Sequence, residues 1–127
     1  MFILISCLFI ACLFPYLAKI PVAMAMSKLG YDNNHPRIQE ATLTGFGARA
    51  LAAHKNSFES LIIFSAAIST ALATHHISAT IQGLAVFHVL SRVVYHFFYL
   101  LNWAGLRSSI WALGLIASLS IIVLCMS

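Results

Sequence analysis

Apolar and polar positions divide the chain into four long apolar stretches joined by short polar ones. The first covers residues 2–27 and is interrupted only by Pro15, Lys19 and Pro21. Residues 28–44, KLGYDNNHPRIQEATLT, are the one long polar segment; Gly30, the Asp32-Asn33-Asn34 cluster and Pro36 are turn and breaker signals that mark an extramembrane loop. The second stretch covers residues 45–73, polar in its first half and apolar (LIIFSAAISTALA) in its second. A connection at 74–78 leads to the third, residues 79–101, and a turn with Asn102 and Gly105 leads to the fourth, residues 106–126. A helix needs about 20 apolar residues to cross the roughly 30 Å hydrocarbon layer. The pattern therefore predicts an all-α, integral membrane four-helix bundle: one domain over residues 1–127, with four transmembrane helices.

Composition strengthens that expectation. The chain is 61% hydrophobic and 8% charged, with a mean hydropathy of +0.95, whereas about a quarter of residues are charged in soluble domains. Four crossings leave no length for a soluble domain. The first stretch lacks the basic segment that precedes a cleaved signal sequence, so it is expected to be retained as a helix bent at its prolines. The net charge is +4, yet the basic residues are scattered singly, which argues against nucleic-acid binding. Cys7, Cys12 and Cys125 sit in apolar stretches with no CxxC or Cys/His ligand spacing, so they read as packing residues and no metal site is expected.

Charge also orients the chain. The polar loop and the turn near Asn102 share one side with Lys28, Arg37 and Arg107, while the side with both termini and His75-His76 has no Lys or Arg. The excess of basic residues marks the first side as cytoplasmic and puts both termini outside the cytoplasm. Trp103 and Trp111 lie near that interface, as aromatic anchors do.

All ten Lys, Arg, Asp and Glu residues fall in that half of the bilayer, several of them within helices. On the second span Arg49, Asn56 and Glu59 lie within about 80° of one another, with Lys55 at the edge, one turn before Glu59, and His54 opposite. On the third, His88, Arg92, Tyr95 and Tyr99 lie within about 60°, with His96 at the edge. Arg107, Trp111, Gly114 and Ser118 align on the fourth. A charge at the bilayer centre costs about 2.5–3.5 kcal/mol on insertion scales, so these faces are expected to turn inward. Ion pairs of Glu59 with Lys55 or Arg92 would account for some of them, but Arg49, Lys55, Arg92 and Arg107 outnumber one carboxylate. The surplus points to an anionic ligand. His54, His88 and His96 read as hydrogen-bonded packing residues.

The segment YDNNHPRIQEATLTGFGARALAAHKNSFESLIIFSAAI, residues 31–68, resembles the core signature of the MAPEG family, membrane-associated proteins in eicosanoid and glutathione metabolism, and SRVVYHFFYLLNWAGLRSSIW, residues 91–111, resembles that family's Arg, Tyr, Tyr, Arg-Ser pattern. The likeness is strongest to bacterial members, which implies the bacterial inner membrane. It further implies a homotrimer that binds glutathione, as co-substrate, between subunits in the cytoplasmic half of the membrane. Arg49, Lys55, Asn56, Glu59, Arg92, Tyr95 and Tyr99 would hold glutathione, Arg107 would activate its thiol, and Ser108 would assist. Ala52 departs from the family pattern, since several characterised members carry an arginine there, and Arg49 and Lys55 are the candidate substitutes. The implied activity is that of a membrane-bound glutathione transferase or peroxidase, taking a lipophilic electrophile or peroxide from membrane lipid. Two other readings stay open: a non-enzymatic four-helix protein, such as a small transporter with Glu59 as a proton-coupled site or a structural partner, and a haem protein using His88 or His96.

Overall fold

A computed structural model describes residues 1–126, and among them the fold is entirely helical. The elements are α1 (Phe2–Lys28), α2 (Pro36–Ala41), α3 (Gly45–Ala73), α4 (Ala79–Leu100) and α5 (Ala104–Leu124). All but α2 are long and apolar enough to cross a membrane. Their outer faces carry exposed Phe2, Phe9, Ile62, Leu90 and Val123, surface that suits lipid and not water. The chain is an integral membrane protein.

Local chemistry sets the ends of these helices. Ser78 caps α4 by accepting the Ile81 N–H on its hydroxyl. His75 and Asn102 close the turns after α3 and α4 in the left-handed region, at φ 59° and 62°, a conformation that Asn and His adopt more readily than most residues. Arg49 Nε, early in α3, donates to the carbonyl of Leu100 at 3.4 Å, so the start of α3 lies beside the end of α4. At the opposite end the 74–78 connection lies beside Leu124.

The segment read as a plain loop contains the short helix α2. Pro36 starts it, where proline's missing N–H costs nothing, and Asp32 braces the approach by accepting the N–H groups of Asn34 (2.9 Å) and His35 (3.1 Å). Its Glu40 is buried against Lys19 of α1, with Arg37 at 3.6 Å. Breaker residues concealed this element, because Pro and Asn punctuate a chain equally well before a loop and before a helix.

Small residues decide where the long helices touch. α1 packs along α3 and α4 along α5. A Cβ on Gly47 would come 3.0 Å from Ala25, and one on Gly114 would come 2.5 Å from Ser91 Oγ. Close backbone approach of this kind is how helices associate where lipid removes the hydrophobic drive between them. One apolar cluster (Leu4, Phe64, Ile68, Ala71, Ile81, Ile121) fills the end with the termini, and a smaller one (Val22, Met26, Ala50) sits at the charged end.

Candidate functional site

Between α3, α4 and α5, in the charged half, an open cleft of about 240 Å³ is lined by Asn56, Tyr95, Tyr99, Arg107, Ser108 and Trp111. Helical spacing delivers each: Tyr95 and Tyr99 are one turn apart on α4, and Arg107 and Trp111 one turn apart on α5. Arg92, one turn before Tyr95, stands behind the cleft.

Two arginines stack on two tyrosines. The Arg92 guanidinium lies 4.0 Å over the Tyr95 ring and that of Arg107 lies 4.2 Å over Tyr99, while the two rings meet edge to face at 5.6 Å. Asn56 joins this ladder to a carboxylate. Arg92 Nη2 donates to Asn56 Oδ1 at 2.5 Å, and Asn56 Nδ2 donates to Glu59 Oε2 at 2.9 Å. Glu59 thus feels the cation through an amide rather than pairing with it.

Charge in this cleft is unbalanced. The ion pairs among the described residues are Lys19–Glu40, Arg37–Glu40 and Asp32–His35, and none includes Arg92 or Arg107. A ring face offers a cation about 0.5–2 kcal/mol, well short of a carboxylate partner. Arg92 is 6% exposed, and its Nε–H is buried without an acceptor.

Six of the residues named from sequence therefore gather here: Asn56, Glu59, Arg92, Tyr95, Tyr99 and Arg107. Ser108 lines the rim, with its hydroxyl donating to the Ala104 carbonyl at 3.1 Å. Arg49 lies outside this lining, turned to the Leu100 carbonyl at the end of α4, where a cation also meets the negative end of the helix dipole. Lys55 is exposed and has no ion-pair partner among the described residues, and of the two pairings open to Glu59, with Lys55 or with Arg92, neither forms an ion pair. Neither residue fills the cation position left by Ala52 in this cleft.

A second polar group went unread as a unit. His88 stacks on Phe64 at 4.1 Å and bridges three helices: its Nδ1 lies 3.0 Å from the Gly114 carbonyl and 2.8 Å from Ser118 Oγ, and its Nε2 lies 3.3 Å from Ser60 Oγ. The signal was present, since His88 shares the Arg92 face and Ser118 the Arg107 face. His54 bonds the Pro15 carbonyl at 2.9 Å and ties α3 to α1. No group of three or more His, Cys, Asp or Glu residues among those described could hold a metal ion.

Comparison with known proteins supplies a family without a near relative. No curated protein and no solved structure matches the chain. The sequence profile of one family does match it, over residues 3–127, and that range takes in every side chain of the cleft. The chain belongs to the MAPEG family, the membrane proteins of eicosanoid and glutathione metabolism.

Proposed function

We propose that the protein is a membrane-bound glutathione-dependent transferase or peroxidase, acting on a lipophilic electrophile or peroxide that enters from lipid. The observation that carries this reading is the pair Arg92 and Arg107, both facing or backing one cleft and neither neutralised by a carboxylate. Glutathione offers two carboxylates and one ammonium. Its carboxylates suit the guanidinium groups, and its ammonium suits Glu59, which bonds Asn56 through one oxygen only.

Arg107 is the group best suited to the thiol. It stands in the first turn of α5, so the positive end of that helix adds to its charge. A cation beside the sulfur favours the thiolate, which is the nucleophile. Trp111, one turn further along α5, adds an aromatic wall to the cleft. Membership of the family supports a homotrimer with the site in the cytoplasmic half of the membrane; the likeness to bacterial members suggests the bacterial inner membrane, and the basic residues on one side of the chain support both termini outside the cytoplasm.

Titration of the purified protein with glutathione, followed by calorimetry and by the ultraviolet absorbance of the thiolate, tests this directly. Saturable binding with a rise in thiolate absorbance is expected. Absence of binding at millimolar glutathione would overturn the proposal and restore the transporter or structural reading.

A further inference from the structure

Away from the arginine–tyrosine cleft, a hollow of about 600 Å³ lies between α1 and α2 at the charged end of the bundle. Ala23, Met26 and Pro36 give it an apolar part, Lys19, Arg37 and Glu40 a charged one, and Ser27 and Tyr31 add hydroxyls. Lys19 stands well inside α1, about 13 Å along the axis from the helix end at Lys28. The short helix α2 folds back over this stretch, and its buried Glu40 pairs with Lys19.

That pair is balanced, which leaves Arg37 as the surplus. Its Nη1 stands 3.6 Å from Glu40 Oε2, beyond the roughly 2.7–2.9 Å of a charge-assisted hydrogen bond. The side chain is 84% exposed, and its fork of N–H donors is left for another acceptor. Holding α2 on α1 takes only the Lys19–Glu40 pair. The second cation, and the space beside it, are not used by that role.

The surroundings indicate what kind of molecule fits. On the helix wheel Cys12, Tyr16 and Phe9 lie within about 80° of Lys19. All three are exposed, and each lies further from the charged end of α1. The face of α1 below the charged part of the hollow is therefore an open apolar track. A free phosphate would engage the cations and leave both the track and the apolar part of the hollow unused. A phospholipid engages all of them.

We propose that the hollow between α1 and α2 binds one anionic phospholipid, its phosphodiester between Lys19 and Arg37 and its acyl chains along the Tyr16 face of α1. Charge selects the lipid. Two cations and one carboxylate leave a single positive charge, which the one negative charge of phosphatidylglycerol cancels and which the ammonium of phosphatidylethanolamine would restore. Basic pockets beside transmembrane helices capture anionic headgroups in this way. By bridging Lys19 of α1 to Arg37 of α2, the lipid ties the two elements together and stabilises the folded chain by mass action. The site is independent of the glutathione reading, since none of its residues lines the cleft.

Native mass spectrometry of the full-length protein tests this, after purification in neutral detergent and incubation with equal amounts of phosphatidylglycerol and phosphatidylethanolamine. The wild type is expected to retain one phosphatidylglycerol per chain in preference to phosphatidylethanolamine, and to unfold at a higher temperature with it. Arg37→Gln, at an exposed position, is expected to fold normally and to lose about fivefold in that preference, the worth of one basic residue toward an anionic lipid. Ala23→Trp, which fills the hollow without changing its charge, is expected to retain neither lipid. Equal retention of the two lipids by the wild type overturns the proposal, as does an unchanged preference in Arg37→Gln or undiminished binding in Ala23→Trp. Inorganic phosphate alone, at millimolar concentration, is the last control. If it raises the unfolding temperature as much as phosphatidylglycerol does, the hollow is a site for a free anion and the lipid proposal falls.

Discussion

At the end of the bundle that carries both termini, Leu4, Phe64, Ile68, Ala71, Ile81 and Ile121 pack against one another with almost no exposed surface. At the other end, Arg92 and Arg107 rest on tyrosine rings, Asn56 relays one of them to Glu59, and a buried guanidinium N–H has no acceptor. The same four helices run through both ends, so the difference lies in the side chains that face inward. Packing in the first is complete and needs nothing more. Satisfaction in the second is incomplete, and an unsatisfied donor buried in a protein costs about 1–3 kcal/mol. That cost is tolerable where a ligand removes it, which makes the apolar end the scaffold and the charged end the site.

The comparison breaks most visibly if a scaffold change disturbs the site. Ile68 is fully buried in the apolar cluster, and Ile68→Ala is expected to lower stability by about 2–5 kcal/mol through lost contacts and a residual cavity. Thermal unfolding in detergent measures this. Glutathione affinity of the folded fraction should match the wild type, and a parallel loss of affinity would show that the two ends are not separable.

Arg107→Ala is the corresponding test at the site. Removing a cation aimed at developing or resident negative charge typically costs about 2.7–4 kcal/mol in turnover, or a hundredfold to a thousandfold. Thiolate absorbance should vanish while glutathione binding persists and unfolding temperature changes little. Arg92→Ala should act the other way. Losing a charge-assisted hydrogen bond costs about 1.5–3 kcal/mol, expected here as weaker glutathione binding, since Arg92 also orients Asn56. If both substitutions lower affinity and thiolate yield in equal proportion, the division into a binding and an activating arginine fails.

How far the site could be read from sequence follows from how each residue is specified. The four spans and the inward stripes of Arg92, Tyr95, Tyr99 and Arg107 follow from hydropathy and a fixed 100° per residue, because a helix in lipid has few other options. What a stripe touches is a different matter. Arg49 shares a face with Asn56, yet it reaches across to the end of α4, since the carbonyls of a helix terminus are acceptors that no sequence pattern announces. Glu40 looked like a loop residue and is the buried partner of Lys19, a pairing that depends on α2 folding back on α1. His88 and Ser118 were on the right faces, but their joining depends on Gly114 letting α4 and α5 approach closely.

The smallest expected effect is also the one that decides whether a single chain completes the cleft. Lys55 lies one turn before Glu59 on α3, exposed and without an ion-pair partner among the described residues, and it is outside the cleft lining. A charge at that remove from a ligand, screened by its surroundings, is worth about 0–1 kcal/mol, so Lys55→Gln should weaken glutathione binding by less than about fivefold. Titration calorimetry beside Arg92→Ala resolves the difference. A loss as large as that of Arg92→Ala would mean that Lys55 does contact glutathione, and its outward direction from α3 leaves one way to do so: into the cleft of a neighbouring subunit. The charged end would then be a site only in the assembled oligomer, while the apolar end would remain a property of each chain alone.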